Sequence, residues 1–117
     1  MNYVDGILIP VSNANKEAYR ESAHKMALLF KEYGALNVVD CWGDDVPEGK
    51  LTSYTMAVKR EDDESVVFSW ISWPSRAFRD EAWKKVMADP RMQSGASPMP
   101  FDGKRMIYGG FEVISNV

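Results

Sequence analysis

The stretch VVFSWISW, residues 66–73, decides the fold of this chain because it is apolar on both sides. Successive side chains of a strand point to opposite faces of a sheet. Val67 and Ile71 therefore share one face. Phe68 and Trp70 share the other. Strands with one solvated face alternate between apolar and polar residues, so this pattern predicts a sheet that is covered on both faces.

Two other segments show the same pattern and are also predicted to be strands, Tyr3–Val11 and Ala35–Trp42. In the second of them, Val39 and Cys41 oppose Val38 and Trp42. Apolar residues on both faces of three strands exceed what a soluble monomer normally exposes.

The remaining elements follow from helical periodicity, turn residues and runs of β-forming residues. They are a helix over Lys16–Tyr33 stopped by Gly34, a strand over Thr52–Lys59, a helix over Arg76–Ala88 ended by Asp89–Pro90, and a last strand over Arg105–Ile114. The order predicts an α+β fold, a ferredoxin-like antiparallel sheet with two helices on one face and one extra strand in the middle. We expect a single domain over residues 1–117, since the length suits one core.

A homodimer explains the second apolar face, because two such sheets packed face to face bury it symmetrically and form a barrel. The alternative is a monomer in which the irregular segment Met92–Gly103 covers that face. Gly109–Gly110, inside the last strand, indicates a bulge, a bend around the partner sheet, or a close approach of backbone or ligand.

Composition excludes several classes of protein. Hydrophobic residues make up 45% of the chain and charged residues 26%, and the net charge is −3 without a basic run, so nucleic acid is not an expected partner. The apolar runs are too short to span a bilayer, so no membrane partner is expected. A single cysteine and an N-terminus without a basic segment indicate a reduced, cytoplasmic setting.

Five segments together resemble the YbaA-like family, small bacterial proteins with a domain of unknown function. They are YVDGILIPV, VVDCWGDDVPEGK, VVFSWISWPS, VMADPRM and MPFDGKRMIYGGFE. The resemblance covers nearly the whole chain and implies a dimeric α/β barrel with a ferredoxin-like fold. It implies no settled activity, because the wider superfamily is similar in fold to cofactor-free oxygenases, haem-degrading proteins and isomerases, and fold alone does not choose among them.

Two acids interrupt apolar strand faces. Asp40 lies between Val38 and Trp42, and Asp5 lies two residues after Tyr3. If these are the faces turned toward the dimer partner, both carboxylates enter the cleft, where lost hydration suits a general acid or base. The alternatives for both are an ion pair or a position near the rim.

Three further residues are candidates for the same cleft. Trp42 and Trp70 suit the walls of a pocket for a flat ligand, or else fill a core or an interface. Arg105 suits a clamp for a carboxylate or a developing oxyanion, or else pairs structurally with an acid.

The segment Asp89–Gly103 suits either a ligand-contacting loop or a seal around a partner subunit. One histidine and one cysteine do not suffice for a zinc site, and no phosphate loop or dinucleotide turn is present, so no metal and no cofactor are expected.

The sequence therefore predicts a cytoplasmic homodimer that binds a small, partly apolar molecule. Asp5, Asp40, Trp42, Trp70 and Arg105 are its predicted ligand-binding residues. One alternative is a cofactor-independent oxygenase or isomerase with Asp40 and Arg105 as catalytic residues. Another is a structural dimer without a ligand.

Overall fold

In the computed structural model, which describes residues 2–93 and 100–117, four strands form one antiparallel sheet. The strands are β1 (Tyr3–Ser12), β2 (Asn37–Trp42), β3 (Glu64–Trp73) and β4 (Ile107–Glu112). The helices are α1 (Lys16–Glu32), α2 (Tyr54–Ala57), α3 (Arg76–Ala88) and α4 (Pro90–Gln93), and 3₁₀ turns span Asn13–Asn15 and Gly103–Arg105.

The strands lie in the order β2-β3-β1-β4, which is the order of a ferredoxin-like sheet. Both long helices cover the same face of it, because Phe30 of α1 and Val86 of α3 belong to one buried cluster with Trp73 of β3. The predicted α+β fold, with an antiparallel sheet and two helices on one face, is confirmed.

The end of α1 is set by Gly34, as predicted. This residue has a φ of +103°, a conformation that favours glycine. Its N–H donates to the carbonyl of Lys31 at 3.1 Å, and the N–H of Ala35 donates to the carbonyl of Phe30 at 3.0 Å. This is the Schellman pattern, which satisfies the last carbonyls of a helix.

The prediction of a strand over Thr52–Lys59 is wrong, and with it the extra strand in the middle of the sheet. The segment contains α2, whose first turn is capped by Ser53, since its hydroxyl accepts the N–H of Met56 at 3.0 Å. A serine that bonds the local backbone competes with strand pairing. The segment then turns at Lys59, which has a φ of 51°.

The strand register confirms that both faces of the sheet are apolar. Val38 lies opposite Ile71 on the side of the helices, whereas Val39 lies opposite Trp70 on the other side. We call this other side the open face, because neither α1 nor α3 covers it. Its main side chains are Val4, Leu8, Val39, Cys41, Phe68, Trp70, Ile107 and Phe111.

The glycine pair of β4 makes no bulge, because β4 pairs with β1 in unbroken register from Ile107 to Glu112. The reason for Gly110 is a close approach: a methyl group there would collide with the hydroxyl of Tyr3 and lie 2.7 Å from Nη2 of Arg79.

The predicted loop over Asp89–Gly103 falls partly on residues 94–99, which lie outside the described residues.

The carboxylate of Asp5 joins β1 to β3 and α3. It is 5% exposed and accepts the indole N–H of Trp73 at 2.8 Å and that of Trp83 at 2.9 Å. Arg79 donates to it from Nη2 at 2.7 Å and from Nε at 3.0 Å. A buried charge needs such partners to offset its lost hydration.

We expect Asp5→Asn to lower the free energy of unfolding by about 3 kcal/mol, because it removes the buried carboxylate charge that pairs with the half-buried guanidinium of Arg79. Urea denaturation of the wild type and the variant measures this loss. Asp80→Asn is the matched control: it removes another carboxylate that Arg79 contacts at 2.8 Å, but one that is 44% exposed. The control should lose less than about 1 kcal/mol, and equal losses would contradict the role of Asp5.

Candidate functional site

A cavity of about 240 Å³ lies between α1 and the side of the sheet that faces the helices. Its walls are mostly aliphatic and aromatic, with a small number of polar groups. They come from β1, β2, β3, α1, α3 and the segments that follow α3, and include Ile7, Ile9, Tyr19, Met26, Phe30, Val38, Asp40, Ser69, Ile71, Trp83, Met92, Phe101 and Met106.

The cavity adjoins a cleft of about 340 Å³ at the edge of the molecule, between α1 and β2. Four residues line both spaces: Tyr19, Ala23, Val38 and Asp40. The methyl group of Ala23 is the smallest of these side chains and lies on the half-buried side of α1. The two spaces together run from an apolar interior to an exposed, polar mouth.

Tyr19 and Asp40 form a hydrogen bond where the cavity meets the cleft. The phenol of Tyr19 donates to Oδ1 of Asp40 at 3.0 Å. Burial of the ring raises the pKa of Tyr19 far above its usual value, and the negative charge of Asp40 raises it further. Tyr19 therefore stays neutral and fixes the orientation of the carboxylate.

Trp42 forms one wall of the cleft. Its ring centroid lies 6.5 Å from that of Tyr19. The ammonium of Lys16 lies 5.5 Å from the Trp42 centroid, a distance that favours a cation–π contact. The cleft thus brings together Asp40 and Trp42 of the predicted set.

Asp5 and Trp70 lie elsewhere. Asp5 faces the helices, like Asp40, but within residues 2–93 and 100–117 its carboxylate accepts hydrogen bonds from the donors of β3 and α3 described above. It acts on the cavity only indirectly, by fixing Trp83, which lines it. Trp70 lies on the open face beside Phe68, with ring centroids 5.8 Å apart. Asp5 and Asp40 both lie on the side of the sheet that faces the helices. The predicted cleft between the sheet and a dimer partner would lie on the open face and therefore contains neither of them.

Arg105 is engaged by oxygen atoms of its own chain through all three side-chain nitrogens. It donates to both carboxylate oxygens of Glu64 at 2.7 Å. Its Nε donates to Asp102 at 3.0 Å, and its Nη1 also donates to the carbonyl of Lys59 at 2.9 Å. This is the structural pairing that the sequence left open as an alternative to a ligand clamp.

Tyr19 is the residue of the candidate site that sequence reasoning missed. Its position on the apolar stripe of α1 indicates only a core residue, and nothing in the local sequence relates it to Asp40, 21 positions away.

In the described ranges 2–93 and 100–117, no group of three or more His, Cys, Asp or Glu side chains is placed to hold a metal ion. No helix in those ranges is long and apolar enough to cross a membrane.

Comparisons with known proteins support the predicted resemblance. A family model described as "Protein of unknown function (DUF1428)" matches residues 2–103. The relatives include "Uncharacterized protein YbaA" of Escherichia coli K12, of Escherichia coli O157:H7 and of Shigella flexneri. Each is 60% identical over 114 residues, which cover 97% of this chain and 97% of the relative. The resemblance to the YbaA-like family is confirmed.

Two solved structures have a similar fold. A putative antibiotic biosynthesis monooxygenase from Bacillus cereus gives a TM-score of 0.57 at 14% identity. SnoaB, a cofactor-independent oxygenase from Streptomyces nogalater, gives a TM-score of 0.62 at 13% identity. Both alignments cover 99% of this chain and 96% of the other. At this identity the likeness shows the fold alone.

We expect Arg105→Met to cost about 2 kcal/mol of unfolding free energy near neutral pH, because Glu64 loses charged hydrogen bonds. Hydrogen bonds from Arg105 lower the pKa of Glu64 in the folded protein. A lowered carboxyl pKa stabilises the fold fully above its unfolded pKa of about 4.3, and that stabilisation is lost as the pH falls through the folded pKa. The gap between wild type and variant should therefore shrink below that unfolded pKa.

Urea denaturation of both proteins at a series of pH values, at one fixed protein concentration, measures the gap. A gap that stays constant from neutral to strongly acidic pH would show that the pair does not stabilise the fold through the charge of Glu64.

Proposed function

This chain belongs to the DUF1428 family of proteins of unknown function, and we propose that it is a cytoplasmic homodimer whose subunits each bind a small, partly apolar molecule between α1 and the sheet. The observation that carries the proposal is the pair of adjacent spaces, the cavity and the cleft, which share the lining residues Tyr19, Ala23, Val38 and Asp40. Their apolar walls hold few polar groups, and one of them is the oriented pair Tyr19–Asp40.

The size of the space supports a ligand. Protein interiors are close-packed, and voids much larger than a water molecule lose dispersion contacts on every wall. Small-molecule sites begin at about 300 Å³ and combine apolar walls with a few polar groups that orient the ligand. The cavity of about 240 Å³ and the adjoining cleft of about 340 Å³ together fall within that class.

The open face supports the homodimer. Phe68 is 44% exposed, Ile107 41% and Phe111 61%, and all three lie on this one face. The ring of Phe111 lies over Gly6, where a β-carbon would come within 3.3 Å of it. A second copy presents the same apolar surface, so two sheets packed face to face bury both surfaces at once.

A cofactor-independent oxygenase is the second candidate, favoured by the fold shared with SnoaB and by a carboxylate on the cavity wall. In this function Asp40 removes a proton from an electron-rich phenol or enol, and the resulting anion supplies the electrons that reduce oxygen. Arg105 lies outside both spaces and is bound to Glu64, so the chain's own support for Asp40 is the phenol of Tyr19.

We expect native mass spectrometry of protein purified gently from its own host to show a dimer that carries extra mass. Ala23→Phe should remove that mass, because the larger ring fills the space between cavity and cleft, while the dimer persists. Ala18→Phe is the matched control, since Ala18 is exposed on the same helix and lines neither space. A dimer of bare mass from the wild type would contradict ligand binding, and a phenol or enol in the bound fraction would favour the oxygenase.

We expect Phe68→Glu to weaken self-association by at least about thirtyfold, because it places a charge in the buried centre of the interface. Analytical ultracentrifugation at micromolar concentration should then show a monomer. Leu28→Glu provides the comparison, since Leu28 is 54% exposed on α1, away from the open face. A variant at position 68 that remains a dimer would exclude the open face as the interface.

A further inference from the structure

Three basic side chains of α1 border the mouth of the cleft. Lys16, Arg20 and His24 follow one another at intervals of four residues, so they share one side of the helix. All three are exposed and all three line the cleft. In a chain with a net charge of −3, this is a local concentration of positive charge beside an apolar cavity.

The acidic residues of the chain neutralise little of the positive charge at Lys16 and Arg20. Lys16 forms no ion pair with any acid in the described residues, and its ammonium lies near the ring of Trp42. Arg20 contacts Glu17 through Nε at 3.0 Å, and both side chains are about 70% exposed, so water screens the pair. The two terminal nitrogens of Arg20 have no hydrogen-bond partner among residues 2–93 and 100–117.

Positive, negative and apolar groups occupy different parts of the cleft and the cavity. The basic side chains border the mouth, Asp40 stands where the cleft meets the cavity, and the cavity beyond is mostly apolar. An anionic group is attracted to the basic residues and repelled by the carboxylate of Asp40. An apolar group gains most from the interior. A molecule with both parts therefore binds in one orientation.

We propose that the ligand of this site is an amphiphilic organic anion, whose apolar body lies in the cavity and whose carboxylate or similar anionic group binds Lys16, Arg20 and His24. This inference rests on the proposed function, because it uses the same cavity. It places anion recognition on α1 and away from Arg105, which Glu64 and Asp102 already occupy.

Two fluorescent probes with nearly the same apolar body test the inference. Anilinonaphthalene sulfonate carries an anionic group, and N-phenylnaphthylamine lacks it. We expect the sulfonate to bind the wild-type dimer about tenfold more tightly than the neutral probe, which corresponds to one or two charge-assisted contacts. Added salt should remove most of the difference, since the contacts are exposed.

The double variant Lys16→Gln with Arg20→Gln should bind the sulfonate about tenfold more weakly and the neutral probe unchanged. Lys25→Gln with Lys84→Gln is the matched control. It removes the same two positive charges from exposed positions that line neither space. It should leave both probes bound as in the wild type.

Ala23→Phe separates this inference from the proposed function. If Ala23→Phe abolishes binding of both probes but the Lys16–Arg20 double variant binds the sulfonate normally, the anion inference is overturned and the cavity remains the site. If Ala23→Phe changes neither probe, the cavity is not a binding site, and the inference and the proposed function both fall.

Discussion

The buried carboxylate of Asp5 is the constraint on which the rest of the structure depends. An ion with so little exposure is tolerated only when its acceptor sites are filled, and the donors that fill them come from β3 and α3. Asp5 therefore fixes α3 against the sheet and fixes the ring of Trp83, which is both its donor and part of the cavity wall. Gly110 completes the arrangement by leaving room for Arg79 beside β4.

The sequence predicted what depends on local patterns. Alternation along Val66–Trp73 and the left-handed stop at Gly34 required no knowledge of distant residues, and both were right. The prediction of a strand over Thr52–Lys59 failed because its β-forming residues can also fit a short turn of helix. The N-cap of Ser53 favours the helix over the strand. The partners of Asp5 could not be predicted, since Arg79 lies 74 residues away in the chain.

The candidate site was predicted only in part for a related reason. Alternation divides the side chains of one strand between two faces, but it does not say which face of one strand continues onto the next. That depends on the register, which places Trp42 opposite Val67 and Cys41 opposite Phe68. Trp42 therefore faces α1 and Trp70 faces the open side, and two residues that the sequence grouped in one cleft lie on opposite faces of the sheet.

Under the proposed function the two faces of the sheet have different roles, self-association on the open face and ligand binding on the face toward the helices. The position of Asp40 suits chemistry as well as binding. Its carboxylate is exposed where the cleft meets the cavity, yet it is held by a phenol that remains neutral, because burial raises the pKa of Tyr19. A base in this position can take a proton from a molecule in the cavity and release it to solvent without opening the apolar interior. The same exposure allows an anionic group to reach the basic residues of α1 while its apolar body stays dry.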